Sequence, residues 1–239
     1  MKKVQIISSL ISTGTFNEMV ENIFELQEKQ FSSYVCCANV HMVVEAYQDK
    51  AFSQMLNEAD LATPDGRPLS IVMKVVNKIN QERVAGMDLL PVLLAEAERR
   101  GKSVYFYGST DDVLAKIREQ IAKDFPKLRI AGTYSPPFRP LSEEEDQAVV
   151  SMINDAKSDL VFVSLGCPKQ EKWIATHKGK INACMLGVGQ AFLTYTGLEK
   201  RLPKWARDWS LEWAYRLYLE PKRLWRRYII GNSIFLFFV

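Results

Sequence analysis

The amino-acid sequence predicts an α/β protein with a mainly parallel sheet covered by helices on both faces. Two observations lead to this prediction. Apolar runs of strand length recur along the chain, and segments with helical periodicity separate them. Continuous apolar strands are typical of sheets that are buried on both faces, and alternation with helices is typical of parallel connections.

The order of elements follows from these runs and from the helix starts between them. Residues 15–18 and 142–145 each have Thr or Ser followed three residues later by Glu, which is the capping-box pattern. A third helix follows the Gly turn at 108. The predicted strands are residues 4–8, 34–38, 103–108, 128–134, 159–166 and 181–189.

The last part of the chain differs from the rest. The strand pattern stops after Gly197, and short helices broken at Pro203 and Pro221 are predicted beyond it. Residues 200–228 hold nine Lys or Arg against three Asp or Glu, a balance of +6; since the whole chain carries +3, the remainder carries −3. Four of the five Trp residues lie in the same stretch. We therefore predict a core of residues 1–197 and a basic, aromatic-rich helical appendage of residues 198–239.

Composition and missing motifs exclude several classes of protein. The chain has 47% hydrophobic and 25% charged residues, as soluble globular proteins do. Its four Cys form no CxxC pair and it has only two His, so neither a disulfide framework nor a multi-histidine metal site is indicated, and a reducing cytoplasm is expected. The patterns GxGxxG, GxxxxGK[ST], HExxH and GxSxG are absent. The first apolar run is predicted as a strand because polar residues interrupt it, and the apolar stretch 228–239 is shorter than the roughly 20 residues of a spanning helix.

Parallel sheets bind ligands at the carboxyl ends of their strands, so the loops after strands are the candidate site. One of them contains a Pro-Asp-Gly triplet at 64–66, which is ordinary turn chemistry. Asp65 is therefore either a turn residue or a placed carboxylate. Arg83, in the loop before the next helix, is either a ligand of an anion or a surface arginine.

Three further loops leave similar alternatives open. The stretch "YGSTDD" at 107–112 either holds phosphate at a helix N-terminus or is a plain turn, and the same applies to "GVG" at 187–189. The stretch "GCPKQE" at 166–171 either presents Lys169 and Gln170 to a diphosphate or to sugar hydroxyls, or is a capped helix start. None of these patterns is specific alone.

Taken together, the motifs are more specific. The segments "TPDGRPL", "RVAGMDLL", "FYGS", "SLGCPKQEKWI", "GVGQAF" and "EWAYRLYLEPKRLWRRY" follow one another in an order and spacing that resembles the WecG/TagA/CpsF proteins, glycosyltransferase family 26. The resemblance runs across almost the entire chain. Pro-Lys-Gln-Glu after a strand and Glu-Trp-x-x-Arg-Leu-x-x-Glu-Pro near the end are its most specific parts.

This resemblance implies a Rossmann-like core and a metal-independent, inverting glycosyltransferase. Such enzymes transfer N-acetylmannosamine or its uronic acid from UDP to polyprenyl-diphosphate-linked N-acetylglucosamine, for wall teichoic acid or exopolysaccharide. No cofactor is expected beyond the UDP-sugar donor. The expected partners are the UDP-sugar, the lipid-linked acceptor and the cytoplasmic face of the bacterial membrane, to which the appendage would attach the protein peripherally; no nucleic acid is expected, and a homo-oligomer is left open.

Three alternative functions also remain open, one with a different donor sugar and two of other classes. They are a UDP-glucose-type transferase of exopolysaccharide assembly, a dinucleotide-dependent oxidoreductase, and a noncatalytic module that binds membranes or nucleic acid through its basic tail. Cys37, Gln190, Thr194 and Leu202 depart from the family pattern and leave the donor sugar open.

The resemblance also implies roles for individual residues. Asp65 matches the family's catalytic carboxylate and Asn39 its active-site asparagine. Arg216, Arg223 and Arg226 match the appendage arginines, and Arg223, Arg226 and Arg227 are predicted on one side of a helix that begins after Pro221. The set is completed by the candidate substrate-binding residues Thr63, Gly66, Arg83, Lys169 and Gln170 and by the candidate nucleotide-binding residues Gly108, Ser109, Gly187 and Gly189.

Overall fold

A six-stranded parallel sheet forms the centre of the protein, in a computed structural model that describes residues 1–200, 202–203, 206 and 211–239. A short antiparallel hairpin precedes it, made of β1 (Lys3–Ile6) and β2 (Ser9–Ser12). The main sheet has the strand order β4-β3-β8-β7-β5-β6, and every neighbouring pair is parallel. Its strands are β3 (Ser33–Ala38), β4 (Leu61–Pro64), β5 (Ser103–Gly108), β6 (Arg129–Tyr134), β7 (Leu160–Ser164) and β8 (Cys184–Gly187).

Five of the six predicted strands are confirmed in this sheet, and the first is not part of it. Ile7, with φ of 57°, turns the chain back so that β1 pairs with β2. The Pro-Asp-Gly loop was expected after a strand, but that strand, β4, was not among the predicted ranges because its four residues include Thr63 and Pro64 and offer only a short apolar signal. The hairpin supports β4, since the Ser12 hydroxyl oxygen accepts a hydrogen bond from the N–H of Ala62 at 3.0 Å.

Helices cover both faces of the sheet, as predicted. The helices of residues 1–200 are α1 (Phe16–Lys29), α2 (Val40–Gln48), α3 (Lys50–Asn57), α4 (Arg67–Val75), α5 (Gly86–Arg100), α6 (Asp111–Asp124), α7 (Glu143–Asp155), α8 (Lys169–Thr176) and α9 (Ala191–Tyr195). Both capping boxes are confirmed, at the start of α1 and at the start of α7.

Two hydrophobic cores lie on opposite faces of the sheet. Neighbouring residues of β5 alternate between them: Phe106 belongs to the core that includes α1, α5 and α6, and Tyr107 belongs to the core that includes α2, α7 and α8. This alternation follows from the period of two along a strand. Because all neighbouring strands are parallel, their carboxyl ends lie at one edge of the sheet between these cores.

The C-terminal segment continues as helices that pack on the core. These are α10 (Glu212–Leu219), α11 (Pro221–Trp225), a π-helical turn (Arg226–Ile230) and α12 (Gly231–Phe238). The predicted break at Pro221 is confirmed, since this residue begins α11. Phe235 of α12 is buried in the core near α2, and the rings of Tyr47 and Phe238 lie 4.4 Å apart.

Part of the predicted appendage lies outside the described residues. This holds for Trp205 and Trp209 and for most of the surroundings of the predicted break at Pro203. The division into residues 1–197 and 198–239 stays a prediction.

Candidate active site

A cleft lies at the carboxyl edge of the sheet. Its cavity of about 330 Å³ is in the size range of small-ligand sites. The loops after β3, β4, β7 and β8 form one wall, and the C-terminal helices form the other. The loop of Asp65 and part of the C-terminal segment thus lie on the two sides of one cleft. The members of the predicted set that line the cleft are Asn39, Asp65, Gly66, Gln170, Gly187, Gly189, Arg216 and Arg223.

Asp65 is fixed directly after β4 by backbone hydrogen bonds. Its N–H donates to the carbonyl oxygens of Ala38, at 2.7 Å, and of Thr63, at 2.9 Å. The next residue, Gly66, has φ of 122°, which favours glycine. The turn and the placed carboxylate are therefore compatible, because the turn is what holds the carboxylate in the wall of the cleft.

Thr63 lies beneath the cleft and does not line it. Its side chain is fully buried, and its hydroxyl donates to the carbonyl oxygen of Val84 at 3.0 Å. The N–H of Val84 donates in turn to the carbonyl oxygen of Pro64 at 2.9 Å. These bonds tie the end of β4 to the segment leading to Gly86, whose N–H donates to Asp65 Oδ2 at 3.5 Å. Thr63 supports Asp65 from below.

The surroundings of Asp65 raise the pKa of its carboxyl group to about 6. Burial is the largest cause because it disfavours the charged form, and the nearby Glu212 carboxylate adds to the rise. Arg83, the N–H of Gly86 and Arg216 act in the opposite direction. A carboxylate with this pKa is ionised at neutral pH and is a stronger base than an exposed Asp.

Asn39 is positioned by the start of α2. It is the N-cap of this helix, and its side-chain oxygen accepts a hydrogen bond from the N–H of Met42 at 3.2 Å. Asn is among the favoured N-cap residues for this reason. Because the cap follows β3 directly, the same residue also lines the cleft.

The side chain of Gln170 joins two strand ends. Its Oε1 accepts a hydrogen bond from the N–H of Gly189 at 3.1 Å, and its Nε2 donates to Glu171 Oε1 at 2.7 Å. A Cβ at Gly187 would lie 3.1 Å from the same amide nitrogen, so a larger residue there would require the Gln170 side chain to shift. Lys169 begins α8 but is exposed and does not line the cleft.

Arg83 links the core to the appendage and does not line the cleft. Its guanidinium contacts Asp88 at 2.5 Å and Glu212, the first residue of α10, at 2.6 Å. One turn further along α10, Arg216 donates to Gln190 Oε1 at 2.5 Å. These contacts hold α10 over the loop after β8.

The other appendage arginines face different directions. Arg223 lines the cleft and also pairs with Glu220 through Nε and a terminal nitrogen, at 2.6 and 2.7 Å. Arg226 is exposed, lies over the Trp225 ring at 5.2 Å and does not line the cleft. Arg227, four residues after Arg223, lines it instead. The i,i+4 spacing was the available signal for Arg227.

The structure does not bring the loop after β5 into the cleft. The backbone of Gly108 lies against Ser164, whose carbonyl oxygen would be 2.4 Å from an added Cβ. The N–H of Ser109 donates to the same carbonyl oxygen at 3.0 Å, and the Ser109 carbonyl accepts from the hydroxyl of Ser135 at 2.9 Å. A nucleotide contact of Gly108 and Ser109 stays a prediction without support from this placement.

Glu171 and His41 also line the cleft, although neither was predicted as a site residue. Glu171 is 1% exposed, and this burial raises the pKa of its carboxyl group. Burial lowers the pKa of His41 to about 4, and the charge of Arg227 adds to the fall, so the imidazole is neutral at pH 7. Glu171 closes the Pro-Lys-Gln-Glu pattern, and that position was the signal for it.

The described residues contain neither a cluster of metal ligands nor a helix that could span a membrane. No three His, Cys, Asp or Glu side chains in those parts of the chain converge in a way that could hold a metal ion. None of the helices described above has both the length and the apolar content needed to cross a membrane.

The fold and the cleft define an α/β protein with a ligand site at the carboxyl edge of a parallel sheet, closed by a C-terminal helical segment. The model of one family, the glycosyl transferase WecG/TagA/CpsF family, matches residues 4–239. The chain belongs to this family, as the sequence resemblance predicted, and is a glycosyltransferase.

Similar proteins of known name support the same conclusion. One from Bacillus spizizenii (strain ATCC 23059 / NRRL B-14472 / W23) is 36% identical over 196 residues, which are 82% of this chain and 74% of that protein. One from Bacillus subtilis (strain 168) is 31% identical over 201 residues, 84% of this chain and 76% of that protein. One from Staphylococcus aureus (strain NCTC 8325 / PS 47) is 29% identical over 230 residues, 94% and 87% respectively. Each is named N-acetylglucosaminyldiphosphoundecaprenol N-acetyl-beta-D-mannosaminyltransferase.

Proposed function

We propose that this protein transfers an N-acetylmannosamine-type sugar from a UDP-sugar to polyprenyl-diphosphate-linked N-acetylglucosamine, with inversion and without a bound metal or other cofactor. The observation that carries the proposal is the joint placement of Asp65, Arg216 and Arg223 in one cleft. The names of the relatives support the choice of sugar and acceptor. UDP is the carrier that the sequence resemblance implies.

Asp65 is proposed as the general base. As the acceptor hydroxyl oxygen forms its bond to the anomeric carbon, the Asp65 carboxylate takes the hydroxyl proton and the bond from that carbon to the diphosphate breaks. One displacement of this kind inverts the configuration. A positioned base contributes about 10² to 10⁴ in rate, and its raised pKa brings it nearer to the working pH.

The leaving UDP carries the charge that develops in the transition state, and we propose that arginines stabilise it. Arg216 and Arg223 line the cleft from the appendage side. Guanidinium groups suit this role because their planar fork can bond two phosphate oxygens at once, and fixed donors aimed at developing charge are a large source of catalysis. Asn39 and Gln170, which line the opposite wall, are proposed to bind hydroxyl or amide groups of the sugars.

We further propose that the protein acts at the cytoplasmic face of the membrane as a peripheral protein. The appendage exposes the apolar side chains of Ile229, Leu236 and Phe237, and the basic Lys222 and Arg226 are exposed in the same segment. Apolar side chains favour the interface, and each basic residue near an anionic leaflet contributes about 1 kcal/mol. A lipid-linked acceptor would be met at that surface.

The test is a transfer assay with a panel of donors. UDP-N-acetylmannosamine, its uronic acid and UDP-glucose are each incubated with the protein and a short-chain polyprenyl-diphosphate-N-acetylglucosamine, and the product is identified by mass. We expect transfer from an N-acetylmannosamine-type donor, a loss of about 10² to 10⁴ in rate in Asp65→Asn, and unchanged transfer in the exposed control Asp155→Asn.

Other results of the transfer assay would support or contradict particular parts of the proposal. Transfer from UDP-glucose alone would favour the exopolysaccharide alternative, and no transfer from any UDP-sugar would contradict the proposal. Full activity in a folded Asp65→Asn protein would remove Asp65 from the mechanism. Activity that survives metal chelation would support the metal-independent reaction.

A further inference from the structure

Arg227 places a buried donor in the wall of the cleft. It lies in the π-helical turn at residues 226–230, and its guanidinium lies 5.7 Å from the centre of the Tyr228 ring. Its Nε is buried and has no hydrogen-bond partner among the described residues. A buried polar group without a partner destabilises the protein, because its lost hydration is not replaced by another hydrogen bond. A ligand oxygen that accepts from this nitrogen would remove that destabilisation.

The charge of Arg227 acts on the core side of the cleft. Burial is the larger cause of the low pKa of His41, and the Arg227 charge is the second. Burial raises the pKa of Cys167 and of Glu171, and the Arg227 charge opposes that rise. These three residues follow β3 and β7, so the guanidinium acts across the cleft on the strand ends. The arginines among the main influences on the pKa of Asp65 are Arg83 and Arg216. The two parts of the cleft thus hold different arginines.

The neighbouring basic residues lack this combination. Arg223 shares the cleft, but two of its nitrogens are engaged by Glu220. Arg226 is exposed over Trp225, and Lys222 is exposed at the start of α11. Arg227 is the basic residue of this segment that combines a place in the cleft with a buried donor lacking a partner in the described residues.

We propose that Arg227, and not Arg226, is the arginine of the π-helical turn that binds a diphosphate of the substrates. The inference rests on the proposed function, in which both donor and acceptor carry a diphosphate. Arginine binds phosphate through charge and through two parallel hydrogen bonds. The neutral imidazole of His41 and the buried carboxyl of Glu171 complete this part of the wall.

The test compares Arg227→Gln with Arg226→Gln and Lys222→Gln, three variants that each remove one positive charge from the same segment. Steady-state kinetics are measured with a water-soluble short-prenyl acceptor, once with varied donor and once with varied acceptor. We expect kcat/KM to fall about tenfold to a hundredfold in Arg227→Gln, which matches the usual worth of a hydrogen bond to a charged group. The two exposed variants should stay within about twofold.

The pattern of the loss identifies the diphosphate. If kcat/KM falls only when the donor concentration is varied, Arg227 binds the UDP diphosphate. If kcat/KM falls only when the acceptor concentration is varied, Arg227 binds the lipid diphosphate. Arg227→Lys, which keeps the charge but not the fork, should recover only part of the activity. Thermal unfolding should show Arg227→Gln to be about as stable as the unmodified protein, because the buried Nε has no hydrogen bond to lose among the described residues.

Several results would overturn the inference. One is wild-type kinetics in Arg227→Gln, and another is an equal loss in Arg226→Gln. A lower unfolding temperature in Arg227→Gln that Glu171→Gln restores would show that Arg227 serves the fold. If no UDP-sugar is transferred by any variant, the proposed reaction fails, and calorimetric binding of UDP and of inorganic pyrophosphate still decides the role: equal binding by Arg227→Gln and the unmodified protein would refute it.

Discussion

Replacing Asp65 by Asn is predicted to remove activity and to stabilise the fold at the same time. The ionised carboxylate is held where burial and Glu212 disfavour its charge, so its pKa rises from 3.8 to about 6. This difference of about 2 corresponds to about 3 kcal/mol, since one pKa unit is worth about 1.4 kcal/mol. The carboxylate retains some exposure, so we expect Asn to raise the free energy of unfolding by about 1 to 3 kcal/mol at pH 7.5.

The stability gained by Asp65→Asn must increase as pH rises. Between about pH 4 and pH 6 the folded protein binds more protons at Asp65 than the unfolded chain does, so the stability contributed by this group falls as pH rises. Below about pH 4 both states are protonated and the variant has no advantage. Above about pH 6 both are ionised and the advantage is complete and constant.

The difference in free energy of unfolding between Asp65→Asn and the unmodified protein can be measured by urea unfolding. Tryptophan fluorescence follows the transition at about pH 4.5, 6.0 and 7.5, values that cover this range. Asp155→Asn, at an exposed position, serves as the matched control and should show no such trend. A variant that is no more stable than the unmodified protein at pH 7.5, or a difference that does not vary with pH, would refute the reasoning about the surroundings of Asp65. The transfer assay on the same samples shows whether stability and activity change in opposite directions.

Three further predictions follow from the site. The kcat/KM of the unmodified protein should rise with pH through about 6 and then level, since Asp65 as the proposed base would act in its ionised form; a profile that is flat between pH 5 and 7, about one unit on either side, would contradict this. Arg83→Gln and Glu212→Gln should be non-additive in urea unfolding, with a coupling of about 0.5 to 3 kcal/mol, because their 2.6 Å ion pair holds α10 to the core; additive effects would exclude that tether. Phe237→Asp should reduce co-sedimentation with anionic vesicles, whereas Phe138→Asp, at an even more exposed Phe outside the appendage, should not; equal behaviour of the two variants would exclude α12 as the contact surface.

The strands and helix starts that depend on local sequence were predicted well. The buried strands are continuous apolar runs, and the capping boxes at residues 15–18 and 142–145 involve contacts within four residues. The loop of Asp65 could be found for the same reason, because Pro-Asp-Gly turn chemistry is local. The partner of β1 could not, since it depends on the left-handed conformation of Ile7.

Side-chain directions in the site depend on distant contacts, which sequence patterns do not contain. The ion pair from Arg83 to Glu212 joins residues 129 positions apart, so Arg83 could equally be expected to bind substrate. Arg226 and Arg227 are adjacent and identical in type, and only the packing of the C-terminal helices decides which one lines the cleft. Thr63 has a polar side chain at a strand end, but the position of Val84 turns its hydroxyl away from the cleft.

The cleft joins distant parts of the chain, from Cys37 to Asn232, and this has a consequence for biosynthesis. Domains fold during synthesis from the N-terminal side, so the sheet and the Asp65 loop can form before the helices that cover them. Such a nascent chain holds the carboxylate without Arg216 or Arg227. If the proposed reaction is correct, this nascent chain lacks the groups that stabilise the departing diphosphate, and we expect it not to hydrolyse the donor before the C-terminal helices have formed.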